Sequence, residues 1–482
     1  MQHAPTEEQA AVQAAAKNLM TAQRGLIKTI AGAGCGKTTT LVGAARICRE
    51  AGAGRQLYLA FNKALVEDGN RAFKGVADVK TFNALAFEHT AAGSKGRKIS
   101  PIYPRHVVDA FDLQNRKLPM EPFAFAKSVL TTLSNFCDSG DMAVTTGHVP
   151  GWIRTEFSEL VGQYATVLFN ALHVDNPTTL PLSHQLYVKS WHMGGCEGLF
   201  KYDLTLLDEA QDASGVMLAC LAFAQRAIYV GDSCQQIYGW RNAQDAMLKL
   251  PGKAFPLSTS FRFGPQIADL ANNVLKMKST PPALTLQGLA SRGTTIGNVD
   301  RQRPHTRIFR TNAALVRDAL VLADCSTPFC IVGDMGELKD KFESAYAIFK
   351  GNLREVKHPA FSQFKSWEQL EDWVEEHGDS EIRQVANLVK EYSRRPSDVI
   401  KLMSGKGQSG NAIATLTTAH KSKGREWDNV ILAADFDDRQ MQYARKRMTV
   451  NQRDEEINLL YVALTRTRFL LESESEFLKG FL

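Results

Sequence analysis

The sequence has no C-x-x-C pair. Its eight cysteines are scattered, with Cys325 and Cys330 the nearest two, which excludes zinc-ribbon and iron–sulphur spacing and fits buried thiols in a reducing compartment. No apolar run is long enough to span a bilayer, and the N-terminal stretch MQHAPTEEQAAVQ has no apolar signal core. A soluble protein without a membrane segment is expected. Charge of one sign is lacking too: 57 basic against 51 acidic residues leave +6, compatible with nucleic acid without pointing to it. Six of the eleven histidines fall in or just before residues 91–195, none with partners at metal-ligand spacing, so no structural metal is expected. Hydrophobic residues at 44% and charged residues at 22% are ordinary globular values, and 482 residues exceed one hydrophobic core, so two to four domains are expected.

What is present is organised around Gly25 to Leu41, GLIKTIAGAGCGKTTTL. An apolar run (Leu26, Ile27, Ile30) leads into a glycine-rich turn containing Gly34 and Gly36, then into a segment with helical spacing. Strand, glycine-rich turn and helix form a phosphate-binding loop, whose backbone N–H groups and helix dipole surround the phosphates. In such a loop Lys37 reaches the β- and γ-phosphates, Thr39 follows on the first helical turn, and the Thr38 hydroxyl ligates Mg²⁺. The usual pattern begins with Gly, and Ala31 holds that place here.

Upstream, TEEQ opens a helix with Thr6 as N-cap. Gln9 has an amide able to match the adenine edge bidentately. Two further strands end in an aromatic, an amide and a base or hydroxyl: Phe61-Asn62-Lys63 and Thr81-Phe82-Asn83. Ligands of open α/β sheets sit beyond carboxyl strand ends, so these groups suit base stacking and phosphate bonding, while core packing explains either Phe equally well. Residues 91–195 change to helical amphipathic stretches. The strand YDLTLLDEAQ then ends in Asp208-Glu209, where one carboxylate can hold the Mg²⁺ shell and its neighbour orient the attacking water. The pair means little alone and much beside a phosphate loop. Ala227 to Val230 delivers GDSCQQIYGWR, in which Gln235 can sense the γ-phosphate, while Tyr238, Trp240 and Arg241 offer a stacking platform with a cation. LSTSFRF ends a short strand with Phe261-Arg262. A second α/β pattern starts near Thr306 and delivers His420, Lys421, Lys423, Gly424 and Glu426; a polar loop (437–455) and a helix from Glu456 lead to Arg466.

In chain order, TEEQ, AGAGCGKTTTL, LAFNKA, KTFNALAF, LLDEAQD, VGDSCQQIYGWRNA, LSTSFRFG, TAHKSKGREWDNVIL and EEINLLYVALTRT resemble the UvrD/Rep family of superfamily-one helicases. QQIY and SFRFG are closest to the F-box DNA helicase branch, without an F-box. The resemblance implies an α/β fold of two RecA-like P-loop domains, each with a mostly helical insertion. It divides the chain into domain 1A (1–90 and 196–275), insertion 1B (91–195), domain 2A (276–350 and 411–482) and a reduced insertion 2B (351–410). It implies an ATP- and Mg²⁺-dependent 3′-to-5′ DNA translocase, cytoplasmic or nucleoid-associated, acting on single-stranded or tailed duplex DNA with recombination, repair or nuclease partners. By resemblance Gln9 reads adenine and Phe261 stacks on it; Lys37, Thr38, Asp208, Glu209 and Gln235 form the hydrolysis centre. Arg262 and Arg466 act as arginine fingers from opposite sides of a cleft. Lys423, Gly424 and Glu426 contact nucleotide, and Phe61, Asn62, Phe82, Tyr238, Trp240, Arg241 and His420 lie along the strand.

Two departures are visible. The second insertion is small, and only FLLESESEFLKGFL follows YVALTRT where the family carries a strand-splitting hairpin. Hence the alternative is a DNA-dependent ATPase that displaces proteins or remodels junctions without processive unwinding. A P-loop small-molecule kinase leaves the Trp240-Arg241 segment and the two arginines unexplained.

Overall fold

Parallel pairing throughout two sheets decides the architecture. The computed structural model describes residues 4–60, 63–90, 98–173, 180–237, 247, 250, 254–377, 379–405, 411–437 and 449–481. The chain forms two compact units, Met1–Thr259 with Ala283–Thr285, and Ser260–Pro282 with Leu286–Leu482.

The first unit holds strands β1 (Gly25–Ala31), β2 (Gln56–Ala60), β3 (Asp78–Thr81), β4 (Leu204–Leu207), β5 (Arg226–Gly231) and β6 (Ala254–Leu257). They form one six-stranded sheet in the order β3-β2-β4-β5-β1-β6. β2 and β4 are buried at every residue, as a parallel sheet covered on both faces requires. The helical segment after residue 98 does not build a core of its own. Leu57, Leu59 and Leu207 of the sheet share one buried cluster with Val107, Phe125, Leu168 and Trp191.

Two-residue strands β7 (Thr259–Ser260) and β8 (Gln287–Gly288) come next in the chain; the second unit then holds β9 (Thr295–Ile296), β10 (His305–Phe309), β11 (Phe329–Ile331), β12 (Ala414–Thr418), β13 (Trp427–Leu432) and β14 (Thr467–Ser473). The last six form a parallel sheet in the order β11-β12-β10-β13-β14-β9. The mixed α/β architecture with two RecA-like sheets is the one expected from the sequence.

Three sequence expectations shift. Residues 260–275, assigned above to domain 1A, pack with the second unit, because the helix Pro265–Leu275 buries Ile267, Leu270, Ala271 and Val274 and packs on the helix Val450–Leu464. Residues 351–410 are not an independent insertion in packing terms: Phe361, Leu370, Val385, Val389 and Val399 join Phe309, Phe329 and Leu416 in one core. The helix before Arg466 begins at Val450 instead of Glu456, since Thr449 and Gln452 close a reciprocal capping box ahead of it. Among the described residues no helix is long and apolar enough to cross a membrane.

Candidate active site

In the sheet order β4-β5-β1, three carboxyl strand ends lie side by side, which brings the phosphate loop, Asp208-Glu209 and the Asp232–Gln235 turn together. Gly34 and Gly36 take φ of +75° and +74°, the left-handed region where a Cβ is penalised. Ala31 does not: it is the last, buried residue of β1, so the place usually held by Gly tolerates a methyl here. Gly36 is the N-cap of the helix Lys37–Glu50. The Cys35 thiol inside the loop is buried and, by that burial above all, pushed up to about 12, which makes it an inert packing group.

Lys37 Nζ lies 3.1 Å from Glu209 Oε1. Burial pulls the ammonium down, yet Glu209, Asp232 and Asp208 outweigh it and hold Lys37 above its ordinary value. Asp208 is pushed up by burial and then by Glu209, against Lys37 and two hydroxyl donors. Thr38 Oγ1 donates to Asp208 Oδ2 at 2.7 Å, and Tyr58 OH donates to the same oxygen at 3.0 Å. Glu209 sits at φ +52° with its N–H donating to Asp208 Oδ1 at 2.9 Å.

Two residues without an assigned role join these groups. Gln211 is fully buried; its Nε2 donates to Glu209 Oε2 at 2.6 Å and its Oε1 accepts from Asp232 N at 2.9 Å. Asp232 Oδ2 in turn accepts from Gln235 Nε2 at 2.7 Å. Both lie within the LLDEAQD and VGDSCQQIY stretches, and the only signal available was a polar residue in a run about to be buried. Among the described residues carboxylates outnumber the one ammonium here, which favours a divalent cation. Thr38 Oγ1 and Asp208 Oδ2 lie 2.7 Å apart, within a few tenths of an ångström of the roughly 3.0 Å edge of a Mg²⁺ oxygen octahedron with metal–oxygen distances of about 2.1 Å. The donor set fits Mg²⁺.

Gln9 is buried, and its Oε1 accepts from Thr6 N at 3.1 Å in a capping box. One half of the amide invoked for a bidentate adenine contact is therefore already engaged. Glu8 fixes that helix start by accepting from Ser258 N and Oγ at 2.7 and 2.8 Å. Phe82 is a core residue, 4% exposed, its ring edge-on to Trp191 at 5.7 Å. That corrects its placement along a nucleic-acid strand, since no face is left for a base. Thr39 is exposed on the first turn of its helix. Phe61, Asn62, Tyr238, Trp240 and Arg241 lie outside the described residues.

Arg262 and Arg466 both belong to the second unit. Arg262 Nε donates to Glu426 Oε2 at 2.6 Å, and its Nη1 donates to the Thr465 carbonyl at 2.9 Å. Arg466 is 1% exposed; its Nε donates to Val462 O at 2.9 Å and its Nη1 to Arg425 O at 3.2 Å. Glu426 is opposed by burial but held low by Arg262, Arg468 and Arg466. Two glycines make room for this arrangement. A Cβ on Gly288 would stand 2.1 Å from the Gly264 carbonyl carbon, so only glycine lets residues 287–289 cross the SFRFG turn. Phe261 is half-buried beside Arg262. Lys423 and Gly424 follow the short helix Ala419–Ser422 after β12, with His420 half-buried within it.

Residues 195–256 match the UvrD/REP helicase N-terminal domain, and residues 336–472 match the UvrD-like helicase C-terminal domain. The chain is 31% identical over 494 residues to F-box DNA helicase protein 1 of Schizosaccharomyces pombe, covering 92% of this chain and 55% of that protein. It is 28% identical over 487 residues to F-box DNA helicase 1 of Gallus gallus, covering 93% of this chain and 47% of that protein. The chain thus spans about half the length of these curated relatives.

Proposed function

We propose that this chain, whose residues 195–256 and 336–472 match the N- and C-terminal domains of the UvrD-like helicases, is an ATP-dependent DNA helicase that translocates 3′ to 5′ on single-stranded DNA. The observation that carries this reading is the bonded set Lys37–Glu209–Gln211–Asp232–Gln235, with Thr38 on Asp208, at the carboxyl edge of one parallel sheet. In this reading Lys37 and the loop amides bind the β- and γ-phosphates, Glu209 orients the attacking water, and Gln235 senses the γ-phosphate. Mg²⁺ held by Thr38 and Asp208 would neutralise charge developing on the β- and γ-oxygens. Arg262 and Arg466 supply positive charge to the transferring group. Gln9 and Phe261 take the base, while Lys423, Gly424 and Glu426 contact nucleotide. Phe61, Asn62, Tyr238, Trp240, Arg241 and His420 are the proposed DNA contacts, on sequence grounds.

The test is ATP hydrolysis with and without single-stranded DNA or RNA, followed by unwinding of duplexes tailed at either end. DNA-stimulated hydrolysis with unwinding of 3′-tailed substrate is expected. Hydrolysis indifferent to nucleic acid overturns the reading. One observation favours the alternative motor that displaces proteins without processive unwinding. Thr467–Ser473, which run on from YVALTRT, form β14 and pair in parallel with β13 and β9, so these residues are not an arm of a hairpin with either neighbour. Protein displacement without forked-duplex unwinding would identify that motor.

A further inference from the structure

Asp208 receives two hydroxyls on one oxygen, and only one of them belongs to the phosphate loop. The other comes from Tyr58, in the middle of β2, a strand that pairs with β4 and sets Tyr58 opposite Leu206, two residues before Asp208. Packing leaves this ring a single place to be. Tyr58 is 1% exposed and stacks on the fully buried Phe73, with centroids 4.3 Å apart. On another side, a Cβ added to Gly69 would meet Tyr58 Cε1 at 3.0 Å, so the backbone of the helix Lys63–Ala72 lies directly against the ring. A phenol held this way delivers its O–H to one point, and Asp208 Oδ2 is the acceptor at that point.

Among the described residues this carboxylate, 3% exposed and bordering Glu209, has its torsion fixed by three donors. Its Oδ1 is turned to the Glu209 N–H, and its Oδ2 is turned to Thr38 and Tyr58. We propose that Tyr58 is a positioning residue of the metal site, its hydroxyl holding Asp208 in the orientation that receives a divalent cation together with Thr38. Tyr58 is not itself a ligand; it acts on the cation through Asp208, as outer hydrogen-bond partners of metal ligands do. This inference rests on the reading that Thr38 and Asp208 hold Mg²⁺ beside a bound nucleotide.

Tyr58→Phe keeps the ring and its stack on Phe73 and removes one oxygen. The readout is equilibrium binding of a fluorescent ATP analogue to the full chain as Mg²⁺ is titrated, with a parallel measurement in EDTA and a thermal melt. The Mg²⁺ concentration for half-maximal binding is expected to rise about tenfold, the low end for loss of such a partner. Binding in EDTA should stay at the wild-type level. An unchanged Mg²⁺ dependence overturns the inference, and so does an equal loss of binding in EDTA, which would mark a general distortion of the site. Phe73→Leu retains the hydroxyl but frees the ring, and should move the Mg²⁺ dependence in the same direction; no movement counts against the proposal. Should the wild-type chain bind nucleotide equally with and without Mg²⁺, the assignment of Thr38 and Asp208 fails instead.

Discussion

Arg262 and Arg466 are fastened to the same residue. Arg262 donates Nη1 to the Thr465 carbonyl at 2.9 Å, and Arg466 donates Nη2 to the Thr465 hydroxyl at 3.3 Å. Thr465 Oγ1 is anchored in turn, donating to Tyr461 O at 2.7 Å. The end of the helix Val450–Leu464 therefore gathers both cations around one threonine. Their environments differ: the Arg262 side chain is 15% exposed and paired with Glu426, whereas Arg466 is 1% exposed and bonded to carbonyls.

That difference separates two alanine variants. Arg262→Ala should lower ATP turnover by about 10³–10⁵-fold, the range for arginine fingers, and keep nucleotide binding. Arg466→Ala should lose turnover as well and also melt earlier, because the Val462 and Arg425 carbonyls lose buried donors at a cost of about 1–3 kcal/mol. Turnover assays paired with thermal melts decide it; identical melting temperatures would contradict the buried role.

Glu209 and Lys37 make a second pair of outcomes. Glu209→Gln should bind nucleotide yet hydrolyse it about 10²–10⁴-fold more slowly, the range for loss of a positioned base. Lys37→Ala should lose nucleotide binding itself, since it strips the only ammonium described from beside Glu209, Asp208 and Asp232. Equilibrium binding and single-turnover hydrolysis distinguish the two; a Glu209→Gln variant with full turnover would remove Glu209 from the mechanism.

Glu426 ties stability to pH. Its carboxyl lies below the ordinary range in the folded chain, because Arg262 first, then Arg468 and Arg466, outweigh the burial that raises it. A group depressed in this way contributes stability above its unfolded pKa and loses that contribution as pH falls through the folded value. Stability of the second unit should be flat near neutrality and decline in acid. Urea melts between neutral and acid pH should show a shallower acid decline in Glu426→Gln; superimposable slopes would refute the coupling.

Leu370, at 0% exposure, shares the core of the second unit with Phe309 and Leu416. Leu370→Ala should cost about 2–5 kcal/mol. Deletion of residues 351–410 should abolish folding of that unit instead of trimming a dispensable module. Urea denaturation and limited proteolysis provide the check, and a stable, soluble deletion would show that the segment packs independently.

Much of this was readable in advance because it is local. The β1 strand, its glycine turn and the helix from Lys37 follow from apolar run, clustered glycines and helical spacing within one short stretch. Strands β2, β4, β5, β10 and β12 were legible for the same reason: buried parallel strands read as short apolar runs. The helix start at Val450 was missed although its Thr-x-x-Gln capping box is a local signal, because the polar residues around it looked like loop. Phe82 was undecidable, since an aromatic at a strand end serves a core and a base stack equally well.

The sequence by itself determined which chemistries are available: the lysine, hydroxyl, carboxylates and arginines, and the backbone bends that present them. Only the tertiary structure decided which atoms share a partner. Tyr58 and Asp208 are separated by 150 positions, and Thr38 and Asp208 by 170. Propensity and periodicity act over a few residues, whereas a hydroxyl reaches a distant oxygen only through the order in which strands pair and the side chains that pin it there.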